Sequence, residues 1–188
     1  MEVETHPFEP FLPENARLLM LGTFPPAPKR WSMKFYYPNF INDMWRIFGY
    51  LFFGDKEHFV DAPNKCFRLD LLIPFLQEQG IALFDTATRI RRTTGTASDK
   101  DLEVVEETNL HQMLRQLQKC ECVVTAGQLA TEIACRQFQV VPPKVGEYAP
   151  FTFEGRQLRL YRMPSSSRAY PMKLERKADY YQRVLLQP

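Results

Sequence analysis

The first clear hydrophobic run is residues 17–21 (RLLML), which stops at Gly22. A short apolar run bounded by a turn residue predicts a buried strand. Two more follow: IALF at 81–84, closing on Asp85, and CVVT at 122–125, closing before Gly127. Between them the spacing changes from strand to helix. Ile41, Met44, Trp45 and Phe48 predict a helix over 39–53, and residues 69–79 read as a second, which Pro74 should kink or start. Leu110, Met113, Leu114 and Leu117 give a third over 108–119, a fourth runs from Gly127 to Phe138, and an amphipathic fifth covers 173–185. Residues 151–153 and 158–161 flank Glu154-Gly155, a hairpin signal. The polar, threonine-rich and basic segment 86–101 reads as a long functional loop.

Strands alternating with helices predict an α/β fold, here a three-layer α/β/α arrangement around a short, mostly parallel central sheet. No repeat, low-complexity run or linker interrupts 1–188, so one domain is expected. Open α/β sheets bind ligands at the carboxyl ends of their strands. That rule nominates the loops at 22–37, 85–101, 126–128 and 163–170.

Composition adds an aromatic bias, with 15 Phe and 8 Tyr, and 15 Pro against 8 Gly. Such residues fill a core, and their faces also stack on nucleobases. The net charge of +2 is unevenly spread: residues 1–143 carry 15 Lys/Arg against 18 Asp/Glu, and 144–188 carry 9 against 4. A basic C-terminal quarter suits phosphate contacts, or a solvated face. Cys66, Cys120, Cys122 and Cys135 lack the spacing of a zinc site and read as buried reduced thiols. No metal or cofactor is expected, and the lack of a P-loop or dinucleotide-type glycine fingerprint lowers nucleotide-hydrolase and Rossmann readings. Residues 1–14 are acidic and proline-broken, and no apolar run reaches the roughly 20 residues of a membrane span. A cytoplasmic monomer without membrane attachment is expected.

The segment 22–45 is the most unusual. Gly22 ends a strand, Pro25 and Pro26 stiffen the turn, and Tyr36-Tyr37 lead to Asn39 and Asn42. Read singly, the tyrosines are core aromatics and Asn39 is a helix N-cap. Together they form a wall that stacks a flat ring and amides that bond its edge.

These pieces, GTFPP at 22–26 and YYPNFINDMW at 36–45, resemble the first motif of the uracil-DNA glycosylase superfamily, most closely its hypoxanthine-DNA glycosylase branch. GIALFD at 80–85, VVTAG at 123–127 and MPSSSRA at 163–169 resemble later segments of that family in the same order. Asn39 replaces a family histidine, and Ala126 a third-strand asparagine. The resemblance implies a uracil-DNA-glycosylase-like fold and hydrolysis of the N-glycosidic bond of a deaminated base in DNA. Gly22, Thr23, Phe24, Pro25, Tyr37, Asn39 and Ala126 then become base-binding candidates. Many relatives carry an Asp or Asn that activates water where this chain has Phe24. Asn42 is the first alternative for holding water, and Asp85 the second, with turn formation as its other reading. Pro164, Ser165, Ser166, Ser167 and Arg168 are expected at the DNA, as are Arg91 and Arg92, with Arg89 beside them. The serines have no evident histidine partner for a hydrolase triad. A protein that binds DNA or a base without cleaving it is a second expectation, and a small-molecule hydrolase or transferase on the same scaffold is a third.

Overall fold

The computed structural model describes residues 2–93 and 101–187. Every residue of β2 (Leu18–Gly22) and β5 (Ile81–Asp85) is buried, and so are the first four of β8 (Cys122–Ala126). Unbroken burial along a strand requires cover on both faces, which is why these segments read as continuous apolar runs rather than alternating ones.

The five-stranded sheet has the order β5-β2-β8-β10-β9, where β9 is Tyr148–Phe153 and β10 is Arg156–Met163. It is mixed. β5, β2, β8 and β10 run parallel, and β9 turns back antiparallel to β10. The hairpin expected at Glu154-Gly155 makes that reversal, with both residues at positive φ, 47° and 81°. The helices are α1 (Met44–Phe53), α2 (Leu69–Gln79), α3 (Leu110–Gln116), α4 (Gln128–Phe138) and α5 (Leu174–Leu185). α1 packs on α5, which lies on β10, while α4 covers β8 and α2 covers β5. Trp45 anchors α1 in the core, fully buried, and its Nε1–H donates to the Tyr36 carbonyl at 2.9 Å.

Several expectations need correction. α1 starts at Met44 rather than Asn39, because two Asx turns occupy the interval: Asn39 Oδ1 accepts from Ile41 N–H and Asn42 Oδ1 from Met44 N–H. Pro74 lies inside α2. α3 is shorter than 108–119 and starts from Asn109, whose Oδ1 caps Gln112 N–H at 3.0 Å. The segment read as a loop from residue 86 begins as β6 (Ala87–Arg92), the centre of a second antiparallel sheet, β1-β6-β7, with β1 at Val3–Thr5 and β7 at Leu102–Glu107. Its exposed face is charged, so no apolar alternation marks it. Residues 94–100 of that expected loop lie outside the described residues. A two-residue ladder, β3 (Val60–Asp61) with β4 (Cys66–Phe67), completes the strands among the described residues.

Cys120, Cys122 and Cys135 are buried and Cys66 is half-buried; all are free thiols. Burial pushes the Cys120 thiol up to about 12, and the Cys122 and Cys135 thiols up as well. Desolvation and the Asp61 charge push the Cys66 thiol up too, so accessibility decides: a thiol reagent at pH 8 is expected to modify half-buried Cys66 alone, and slowly, in the folded protein. The other three should react only as fast as the chain unfolds, which mass spectrometry with and without denaturant checks.

Candidate active site

The parallel strands bring their carboxyl ends together. Gly22 is in register with Asp85, and Ala126 with Met163, so the loops leaving β2, β5, β8 and β10 meet at one end of the sheet. A cavity of about 300 Å³ opens there. Its size is that of the smaller ligand pockets.

Gly22, Thr23, Phe24 and Pro25 line one side, Tyr37, Asn39 and Asn42 another. Asp85 and Ala126 contribute from the strand ends, and Ser165, Ser166, Ser167 and Arg168 form the rim. These thirteen sequence candidates converge. Pro164, Arg91 and Arg92 are not in the lining. The Pro164 carbonyl accepts from the Tyr181 hydroxyl at 2.7 Å, beneath the loop. Arg91 lies on β6 and reaches Glu103 at 3.4 Å. The Arg92 side chain, 9% exposed, pairs with Glu4 at 2.9 Å, donates to the Pro25 carbonyl at 2.7 Å, and lies over the Phe24 ring. It braces the first turn from behind. Arg89 faces Glu106 at 3.8 Å.

The end of β2 must be glycine for reasons of space. A Cβ on Gly22 would lie 2.8 Å from Asp85 Oδ1 and 3.5 Å from the Tyr37 hydroxyl oxygen. Tyr37 itself holds a positive φ of 53°, which turns the chain beside the cavity, with its ring edge-on to Trp45. Tyr36 lies deeper, and its hydroxyl donates to the Glu9 carbonyl at 2.6 Å. Burial, with the Asp85 and Glu9 charges, pushes that hydroxyl far above the usual tyrosine range, so it stays a neutral donor.

No family model matches the chain, and no curated protein does. Among solved structures, 99% of the chain is similar to the whole of a solution NMR structure from Methanosarcina acetivorans, described as "a putative Uracil DNA glycosylase". The identity is 20% and the TM-score 0.63. The chain has that fold. Uracil-DNA-glycosylase-like architecture therefore frames the cavity described above.

Within that fold, the serine loop is held from inside. Lys177 on α5 is fully buried, and its ammonium donates to Asp43 Oδ2 at 3.0 Å and to the Ser167 carbonyl at 2.8 Å. Asp43 Oδ1 takes Arg168 Nε at 3.1 Å and Nη2 at 3.0 Å, and the Asp43 backbone N–H donates to the Ser166 carbonyl. The Ser167 and Ala169 N–H groups are taken by serine hydroxyls within the loop. Those of Ser165, Ser166 and Arg168 have no partner among the described residues. No group of three or more His, Cys, Asp or Glu side chains suited to a metal lies among them either, and no helix there is long and apolar enough to cross a membrane.

Sequence reasoning missed His6. Its Nε2 lies 2.7 Å from Asp85 Oδ2, with the His6 side chain 4% exposed. The only sequence signal was a histidine next to a proline in a segment without periodicity.

Two substitutions follow. Gly22→Ala should push the Asp85 carboxylate out of place and cost about 1–3 kcal/mol, the range for overpacking, as urea denaturation will read. Lys177→Met should cost about 3–5 kcal/mol by stranding a buried charge, with protease sensitivity rising first at the serine loop in timed digests.

Proposed function

We propose that the chain, acting as one domain over residues 1–188, is a monofunctional DNA glycosylase. Its substrate is DNA carrying a deaminated base, hypoxanthine or uracil, flipped out of the stack, and its place is base-excision repair in the cytoplasm, as a monomer without a cofactor. One observation carries this reading: a single cavity at the strand ends joins an aromatic wall, a carboxylate, two side-chain amides and a serine-arginine rim. Flipping costs a few kcal/mol, and stacking and edge contacts in a pocket offset it. In this reading Phe24 and Tyr37 stack on the base, and Thr23 and Asn39 meet its edge; all four line the cavity. Phe24 in the first turn is the feature that favours the hypoxanthine branch.

Bond breaking leaves oxocarbenium character on the sugar and negative charge on the departing base. Water adds its oxygen to the sugar C1′ as the C1′–N bond releases its electron pair to the base. The water's proton needs an acceptor. Asn42 Oδ1 accepts from Met44 N–H, and an amide is too weak a base to take a proton, so Asn42 orients water without accepting its proton. Asp85 is the acceptor, which reverses the order expected from sequence. Protonated there, it returns the proton to the leaving base through solvent. Arg168 and the free N–H groups of the serine loop suit a phosphate beside the flipped nucleotide. Arg91 and Arg92 lie outside the cavity lining, and the Arg92 side chain is nearly buried, so they add little to that contact.

Phe24 and Ala126 are apolar in the lining, and this favours a second reading, a protein that binds DNA or a base without cleavage. Oligonucleotides carrying uracil, hypoxanthine, xanthine or a mismatch, treated with alkali after incubation, separate the two. Scission at the modified position is expected, with kcat reduced roughly 100-fold or more in Asp85→Asn, as for loss of a general base. Asn42→Ala should also lower kcat. Salt-sensitive binding without scission supports the second reading. Neither scission nor binding on any substrate overturns both and leaves small-molecule chemistry.

A further inference from the structure

We infer that His6 is a positioning residue that sets the cavity-facing geometry of Asp85; the inference rests on the role proposed for Asp85 above. β1 is the edge strand of the second sheet, paired with β6 through Val3, Glu4 and Thr5. The His6 N–H continues that ladder to the Thr88 carbonyl at 2.8 Å, and the side chain then reaches Asp85, 79 residues away in sequence.

The imidazole lies among aromatic rings. Phe84 is 4.5 Å away by centroid, Phe24 5.3 Å, Phe8 6.0 Å and Tyr36 6.1 Å. Packing alone would be served by a phenylalanine. A histidine there must instead satisfy two buried ring nitrogens, and both are satisfied. Nδ1 lies 3.1 Å from the Phe8 N–H, which donates to it, and 3.1 Å from the Phe8 carbonyl. If Nδ1 accepts from the N–H, the proton is on Nε2; if the ring is doubly protonated, Nδ1–H donates to the carbonyl instead. Nε2–H donates to Asp85 Oδ2 in either state.

That bond holds one carboxylate oxygen and so fixes the other. Oδ1 lies over Gly22, at the position that any larger residue there would fill. Thr108 secures the backbone of the same residue, its hydroxyl donating to the Asp85 carbonyl at 2.6 Å. His6 also backs the Phe24 ring, so one side chain supports both the carboxylate and the stacking wall. It is not in the cavity lining and acts only through them.

The test compares His6→Phe, which keeps the packing and removes the donor, with His6→Gln, whose Nε2 amide replaces it. In the scission assay His6→Phe should lower kcat roughly 10- to 100-fold, the loss typical of removing an orienting outer hydrogen bond. KM should hold, and the melting temperature is measured in parallel. His6→Gln should recover most of the rate. In the cycle with Asp85→Asn the losses should be strongly non-additive, because both remove the same function. Wild-type kcat in His6→Phe, or failure of His6→Gln to rescue at an unchanged melting temperature, overturns the inference. If the wild-type protein cleaves nothing, the reaction reading fails separately, and NMR decides on His6. A slowly exchanging Nε2 proton that moves upfield in Asp85→Asn supports the hold on Asp85, and absence of that proton in the wild type overturns it.

Discussion

A buried carboxylate, Asp43, ties the rim of the cavity to the body of the protein. It is 2% exposed, and removing such a charge from water costs several kcal/mol unless partners replace the solvent. Lys177 and Arg168 replace it, one on each oxygen. Lys177 in turn needs its own donors satisfied, and the Ser167 carbonyl and the face of Tyr170 complete its surroundings. The serine loop can therefore take few other paths, because leaving this one would expose two opposite charges to an apolar interior. α1 and α5 are joined by the same atoms.

The inner wall follows a different constraint, close approach. Parallel pairing sets Gly22 beside Asp85, and the missing Cβ of Gly22 is the space that the carboxylate occupies. The first turn is then braced twice, by the Thr86 N–H on the Gly22 carbonyl at 2.8 Å and by Arg92 on the Pro25 carbonyl. The second sheet supplies both Arg92 and His6. The sheet thus brings both side chains to the back of the cavity, Arg92 from β6 and His6 from the position after β1.

The parallel strands and the helices were legible in the sequence because burial on both faces leaves uninterrupted apolar runs, and helical stripes leave 3.6-residue spacing. Thirteen cavity residues were legible because they cluster in loops that follow those strands. β1 and β6 were not, since ladders held by backbone bonds and ion pairs such as Arg92 with Glu4 leave no hydrophobic period. The start of α1 was misplaced for a related reason: Asn39 reads as a cap in sequence, but it and Asn42 close Asx turns, and the helix begins only after Asp43. Long-range pairs, His6 with Asp85 and Lys177 with Asp43, have no local signature at all.

The same pairs constrain what the rim presents to a ligand. Asp43, Lys177 and Arg168 together leave one positive charge, and Arg168 is the member that reaches solvent, its side chain 54% exposed. The carbonyls of Pro164, Ser166 and Ser167 are turned inward to Tyr181, Asp43 and Lys177. A surface so arranged offers a place for one anion at the edge of the cavity. In the proposed reaction, selectivity comes mostly from the cavity: from the aromatic faces of Phe24 and Tyr37, from the amides of Asn39 and Asn42, and from the Asp85 carboxylate beside Gly22.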